Sequence, residues 1–239
     1  MIAESLVVRG VVVEIPELVR IGGGEFLMGK DGSRKDEAPR HRVVIGPFRA
    51  GVRPVTNAQY TAYAAASGAA APPFLGEARF AAPGQPVAGI GWHDAVAYCE
   101  WLRAQTGVRF RLPTEAEREY AARGRLESGD WPWTGALHPL SELIERTNQP
   151  HVPFPECANG YGLLCMAENV HEWCSDWYSA DYYAVSPVED PRGPERGERR
   201  VSRGGSWRHA QKVTRVNARS SLDPSFRYND FGFRVCADA

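Results

Sequence analysis

The side chains of this 239-residue chain best suited to nucleophilic, redox or metal chemistry are five cysteines and six histidines. Cys99, Cys157, Cys165, Cys174 and Cys236 show no C-x-x-C spacing, so neither a redox dithiol nor a zinc ribbon is spelled out. An odd number cannot all pair internally. The start MIAESLVVRGVVVEIPELVR is interrupted by Glu4, Arg9 and Glu14 and does not read as a secretory leader. The expectation is a reducing compartment, with lone thiols serving as core filler. The histidines are His41, His93, His138, His151, His171 and His209, and no serine–histidine–aspartate order of the hydrolase kind accompanies them. GGGEFLMG (Gly22 to Gly29) is not a phosphate cradle, because no βαβ pattern surrounds it.

Whatever these groups do, a globular scaffold must hold them. The chain is 43% apolar and 24% charged, long enough to bury a proper core. Its formal net charge of -1 gives no general attraction to nucleic acid or anionic membrane. No apolar run approaches the roughly 20 residues that span a bilayer. Lys30, Lys35 and Lys212 are the only lysines. That arginine bias speaks to a GC-rich genome or a thermophile and says little about function.

Three helices are signalled. Thr56 to Ser67 opens with the capping box Thr56-x-x-Gln59 and stops before Gly68. His93 to Thr106 places Ala95, Tyr98, Cys99 and Leu102 on one face and ends at Gly107. Thr114 to Arg123 has a second capping box, Thr114-x-x-Glu117, with Pro113 ahead and Gly124 behind. Short strands are expected at Gly24 to Met28, Arg42 to Phe48, Val201 to Arg203 and Phe231 to Cys236, with one or two more near the N-terminus. Two long loops, about Gly124 to Ala158 and Ser186 to Arg200, are of the length that is functional or mobile. With no repeat and no clear linker, residues 1–239 read as one domain.

Several phrases in this order resemble the formylglycine-generating-enzyme (sulfatase-modifying factor) family. They are GGGEFLMG, RPVTNAQY (Arg53 to Tyr60), IGWHDAVAYCEWL (Ile90 to Leu102), FRLPTEAEREYAARG (Phe110 to Gly124), NGYGLLCMAENVHEW (Asn159 to Trp173), RVSRGGSW (Arg200 to Trp207) and GFRV (Gly232 to Val235). The resemblance implies an α+β, C-type lectin-like fold: a few helices around a small twisted antiparallel sheet, with much irregular structure. Arg111, Glu115 and Glu119 are expected to satisfy one another or nearby backbone, since buried charges persist only when paired. Trp92, Trp101, Trp173 and Trp177 should supply core area, and Gly204 and Gly205 a tight turn.

The family's enzymes oxidise a substrate cysteine with two copper-binding cysteines, the first shortly after the GGS-aromatic phrase and the second five residues on. Here those slots hold His209 and Thr214, so both soft ligands are missing. His209 by itself reads as a surface residue and not as a metal ligand. A related group that makes sulfur–carbon bonds uses an H-x-x-x-H-x-E iron site, and no such pattern occurs here. The family's calcium site would involve Glu168, Val170 and Glu172. Cys165 stands where an oxygen ligand is expected, which makes that site absent or weak.

From Trp207 to Arg234 the chain also resembles the variable region of retroelement-diversified proteins, in which adenines of AAC codons are scrambled between fixed residues. The fixed frame would be Arg203 to Trp207, Arg219, Pro224, Arg227 and Gly232 to Val235. The variable, ligand-binding slots would be Arg208, His209, Ala210, Val213, Ser220, Ser221, Leu222, Asp223, Phe226, Tyr228, Asn229 and Asp230. NNC codons cannot encode Lys, Gln, Glu, Met or Trp, and none of these occupies a slot. The mix of aromatic anchors and adaptable polar groups is that of a paratope. A surface loop of a non-diversified paralogue is the plainer alternative, and an oxidoreductase with altered ligands is another. The expectation is a monomeric, non-catalytic binder of a protein or cell-surface ligand, cytoplasmic or phage-associated, with no cofactor beyond a weak calcium candidate.

Overall fold

A computed structural model of the protein describes residues 4–133, 149–210 and 213–239. His138, Lys212 and the middle of the first long loop lie outside the described residues.

The helices form where their caps put them. α1 (Asn57–Ser67) starts after Thr56, whose hydroxyl accepts from the Gln59 backbone while the Gln59 side chain accepts from Thr56 N, and it ends at left-handed Gly68. α3 (Glu115–Arg123) repeats the device with Thr114 and Glu117. α2 (Trp92–Thr106) begins one residue earlier than expected, because the Asp94 carboxylate accepts from Gly91 N at 3.0 Å and fixes the first turn. Its buried residues are Ala95, Tyr98, Cys99 and Leu102, the face the sequence marks.

Twelve strands accompany these helices among the described residues: β1 (Ser5–Val8), β2 (Val11–Glu14), β3 (Leu18–Ile21), β4 (Gly24–Met28), β5 (His41–Ile45), β6 (Phe48–Gly51), β7 (Phe110–Arg111), β8 (His171–Trp177), β9 (Arg200–Arg203), β10 (Ser220–Leu222), β11 (Phe231–Gly232) and β12 (Cys236–Asp238). β1 pairs with β2 and β4 with β5 as hairpins. The remaining strands make two four-stranded sheets, in the orders β3-β6-β12-β7 and β10-β9-β8-β11. The first is antiparallel throughout. The second carries a parallel pair, with Phe231 opposite His171 and Gly232 opposite Glu172. The expected α+β fold of a few helices with small sheets is what the structure has, with two hairpins and two four-stranded sheets, one of them mixed, in place of a single antiparallel sheet.

Two further expectations are corrected. Arg42 to Phe48 is split by Gly46 and Pro47 into β5 and β6. Phe231 to Cys236 is two strands in different sheets, and Phe233 to Val235 crosses between them. Phe233 and Val235 join Trp173, Tyr98 and Tyr60 in the largest apolar cluster. A second cluster lies between α3 and β3 to β6, and a small third one gathers Trp207 with Phe80 and Ala88. Of the four tryptophans expected to fill the core, only Trp173 is fully buried. Trp92 and Trp177 are partly buried and sandwich the Arg200 guanidinium at 3.8 and 3.4 Å from their ring centroids.

A candidate binding face on a buried arginine–glutamate frame

Glu115 and Glu119 stand one helical turn apart on α3, and both are buried. Their partners come mainly from the C-terminal segment. Arg219 donates to both Glu115 oxygens, at 2.7 and 2.9 Å. Glu119 accepts from Arg203, from Arg123 at 2.7 Å and from Gly29 N at 3.0 Å. Arg215 and Asn217 close on Glu37 in the same way. Arg111 pairs with Glu117 and Asp238 and donates to the Leu112 carbonyl, so of the partners expected for it the structure shows nearby backbone and not Glu115 or Glu119. The acids of α3 therefore clamp the segment that follows β9.

A second clamp holds GFRV. Glu172 is fully buried and accepts Nε and Nη2 from both Arg118 and Arg234, at 2.8 to 3.1 Å. Burial pushes its carboxyl pKa up, and the two guanidiniums outweigh that and leave it below the usual range. Arg234 also donates to the Gly51 and Leu164 carbonyls. The calcium candidate does not fit this arrangement. Both Glu172 oxygens are committed to cations that would repel another, and the Cys165 sulfur accepts from the Asn169 amide at 3.4 Å. Glu168 and Val170 are buried beside it.

Between the clamps the backbone is tightly fitted. Gly204 and Gly205 have φ of 94° and 68°, and a Cβ on Gly205 would lie 2.4 Å from the Thr214 methyl. Thr214, in the second thiol slot, is buried under this turn. A Cβ on Gly232 would meet the Val87 carbonyl oxygen at 2.4 Å. Arg227 departs from the rest of the frame: it is half exposed, yet bidentate on Asp94 at the start of α2.

Half of the twelve slots are exposed. Arg208, His209, Ala210, Val213, Phe226 and Tyr228 are exposed, the last two at 46% and 48%, while Trp207, Phe233 and Trp173 are buried. Arg208 reaches Asn229 Oδ1 at 3.4 Å, and the Phe226 and Tyr228 rings meet edge to face. The turns at 206–210 and 226–230 thus share one patch. Ser220, Ser221, Leu222 and Asp223 are half-buried in and after β10, with Leu222 packed on the core. Asp230 is buried (6% exposed), against the expectation of a surface slot, because its carboxylate accepts from Ser206 Oγ at 3.0 Å and its carbonyl accepts from His171 N.

Sequence reasoning gave His171 no role, and it sits beside this patch. One donor atom each of His171, His209 and Asp230 lies within 4.8 Å of the others. Full burial, with a smaller contribution from His209, pushes the His171 pKa down to about 3, so the ring is neutral at ordinary pH. His209 is lowered by burial too, and Asp230 pulls it partly back. The signal in sequence was faint: His171 is the residue of NVHEW that lands opposite Phe231.

Residues 4–239 match a family model described as a sulfatase-modifying factor enzyme 1-like domain. The chain is 36% identical to the formylglycine-generating enzyme of Streptomyces coelicolor, over 92% of this chain and 89% of that protein. Among solved structures, PvdO from Pseudomonas aeruginosa superposes with a TM-score of 0.83 at 28% identity, covering 94% of this chain and 95% of that one. Treponema denticola variable protein 1 superposes with a TM-score of 0.78 at 24% identity, covering 100% of both chains. The last likeness is one of fold.

Proposed function

Since the chain belongs to the sulfatase-modifying factor enzyme 1-like family, which includes enzymes and inactive members, we propose that it is a non-catalytic protein binding a protein or cell-surface ligand through a diversified face. The observation that carries this reading is the division of Trp207 to Arg234. Frame side chains such as Arg219, Phe233 and Arg234 are held by buried partners, while Arg208, His209, Phe226 and Tyr228 are exposed and contact chiefly one another and their neighbours in the patch. Variation is tolerated where it disturbs no close packing. Two aromatic rings flanked by adaptable polar groups supply contact area at small entropic cost. The fold shared with a variable protein of Treponema denticola supports the same reading.

The DNA around the gene tests it. The expected finding is a near-copy of the Trp207 to Arg234 coding region, rich in AAC, beside a reverse transcriptase gene. Related loci should then differ at the exposed slots and agree at the frame. Absence of both template and transcriptase removes the main reason for the proposal.

A biochemical prediction separates this reading from an oxidoreductase. Supplied with copper and oxygen, the protein is expected to leave the cysteine of sulfatase-type peptides unoxidised. His209 and Thr214 occupy the thiol slots, and Cys99, Cys165, Cys174 and Cys236 are buried elsewhere. Mass spectrometry of the peptide reads the result, and turnover would reverse the assignment.

A further inference from the structure

We propose that His171, His209 and Asp230 form a mononuclear site for a divalent first-row transition metal such as zinc, with an open coordination position facing solvent. The claim concerns the residues of this chain and stands whether or not the surface is diversified; if it is, His209 and Asp230 are variable slots and the site belongs to this variant.

Each donor comes from a different element, and each is placed by backbone. His171 opens β8, and its N–H donates to the Asp230 carbonyl at 2.8 Å, while the parallel pairing of Phe231 with His171 sets the two strands side by side. His209 is carried in by the turn after β9, its N–H donating to Ser206 O at 2.9 Å. The three donor atoms lie within 4.8 Å of one another. Tetrahedral zinc bonds of about 2.0–2.2 Å need donors roughly 3.4 Å apart. The His209 side chain, exposed while the other two are buried, is the one with most room to move toward them.

Two groups here are poorly satisfied without a cation. The His171 side chain is 94% buried by its residue exposure of 6%, makes no hydrogen bond, and has Nδ1 sealed from solvent without a partner. Buried polar atoms in folded proteins are nearly always paired. Asp230 is a buried carboxylate whose nearest cation is the half-exposed Arg208, 3.7 Å away. A metal ion would neutralise Asp230 and give the His171 ring its first polar partner. Ser206 Oγ donates to Asp230 Oδ2 and sits 3.3 Å from His209 Nδ1, which is how an outer-shell hydroxyl orients two ligands.

The donor set selects the metal class. Two imidazoles and one carboxylate suit zinc, iron(II), cobalt or nickel, being too nitrogen-rich for calcium and lacking the thiolates that favour copper(I). Three protein ligands are the number that leaves a position for water or for a donor atom of a bound ligand. Phe231 packs on the His171 ring at 4.7 Å between centroids and walls the inner side with carbon.

Zinc chloride alone is the probe, titrated into chelator-stripped full-length protein by calorimetry and by competition with a chromogenic chelator. The expected result is one zinc per chain. His209→Ala and Asp230→Asn should each weaken binding by about a hundredfold or more, since even outer-shell losses cost about 10–100-fold. Ser206→Ala should fall within that outer-shell range, and His93→Ala, at an exposed histidine elsewhere, should change nothing. His209 is exposed, so His209→Ala keeps its fold, and a melt of the metal-free protein verifies that. Cobalt(II) should add visible d–d bands that are lost in the same variants. Absence of saturable zinc binding, or binding undiminished in His209→Ala or Asp230→Asn, overturns the proposal.

Discussion

Glu172→Ala is expected to leave most of the protein unfolded. The carboxylate is fully buried and is the shared counter-ion of Arg118 and Arg234, themselves 2% and 1% exposed. Removing it strands two guanidiniums in the interior. Breaking one buried pair costs about 3–5 kcal/mol, against a total stability of about 5–15 kcal/mol. Here one truncation breaks two. Glu172→Gln should rescue little, because the amide keeps the shape and loses the charge. Glu25→Ala, which removes an exposed partner of Arg42, serves as the control and should leave the melt unchanged. Urea or thermal melts decide. A Glu172→Ala protein as stable as the Glu25→Ala control would mean that these arginines find other partners, and the clamp would not be what holds GFRV.

The second large effect separates the frame from the face. Phe233→Ala removes a fully buried ring that meets Tyr98 and Tyr60 edge to face, at 5.3 and 6.3 Å. The expected cost is about 3–5 kcal/mol. Arg208, His209, Phe226, Tyr228 and Asn229 replaced together by Ala should cost far less, since surface changes fall within about ±0.5 kcal/mol each. Those residues touch one another, so their effects will not add strictly. Ligand binding should respond in the opposite order, lost in the five-fold variant and kept in whatever Phe233→Ala protein remains folded. If the five-fold variant melts as early as Phe233→Ala, these residues are core, and the display reading fails.

Local chemistry made the helices legible. Thr56, Gln59, Thr114 and Glu117 announce their capping boxes within four residues, and glycines stop all three helices. β8 was missed for the opposite reason. It is the buried centre of a sheet, with both faces covered, so HEWCSDW shows none of the alternation that marks a half-buried strand. The break at Phe233 to Val235 was hidden because its cause, the pull of Glu172 on Arg234, is separated from it by 62 positions. The frame proposed for Trp207 to Arg234 was suggested by resemblance, and the electrostatics that hold it were not legible, since Arg203 and Arg219 meet acids about a hundred positions upstream. The same distance hid the neighbours of His209. Nothing local to RGGSWRH says that His171 and Asp230 will arrive beside it.

The position of β12 constrains how the molecule is made on the ribosome. Cys236–Asp238 lies between β6 and β7, in the interior of its sheet and not at an edge. A chain synthesised from the N-terminus therefore carries an empty slot between Phe48–Gly51 and Phe110–Arg111 until almost its last described residue has emerged. Its early carboxylates wait as well: Glu37 meets Arg215 only after 178 further positions. Domains dominated by such distant contacts fold slowly and expose unpaired strand edges meanwhile. A nascent chain stalled before Arg203 would hold helices α1 to α3 with no counter-ion from that side for Glu115 and Glu119, and would be prey for proteases. Closure thus waits for the segment after β9, which brings the proposed binding face together with the charges that lock it down.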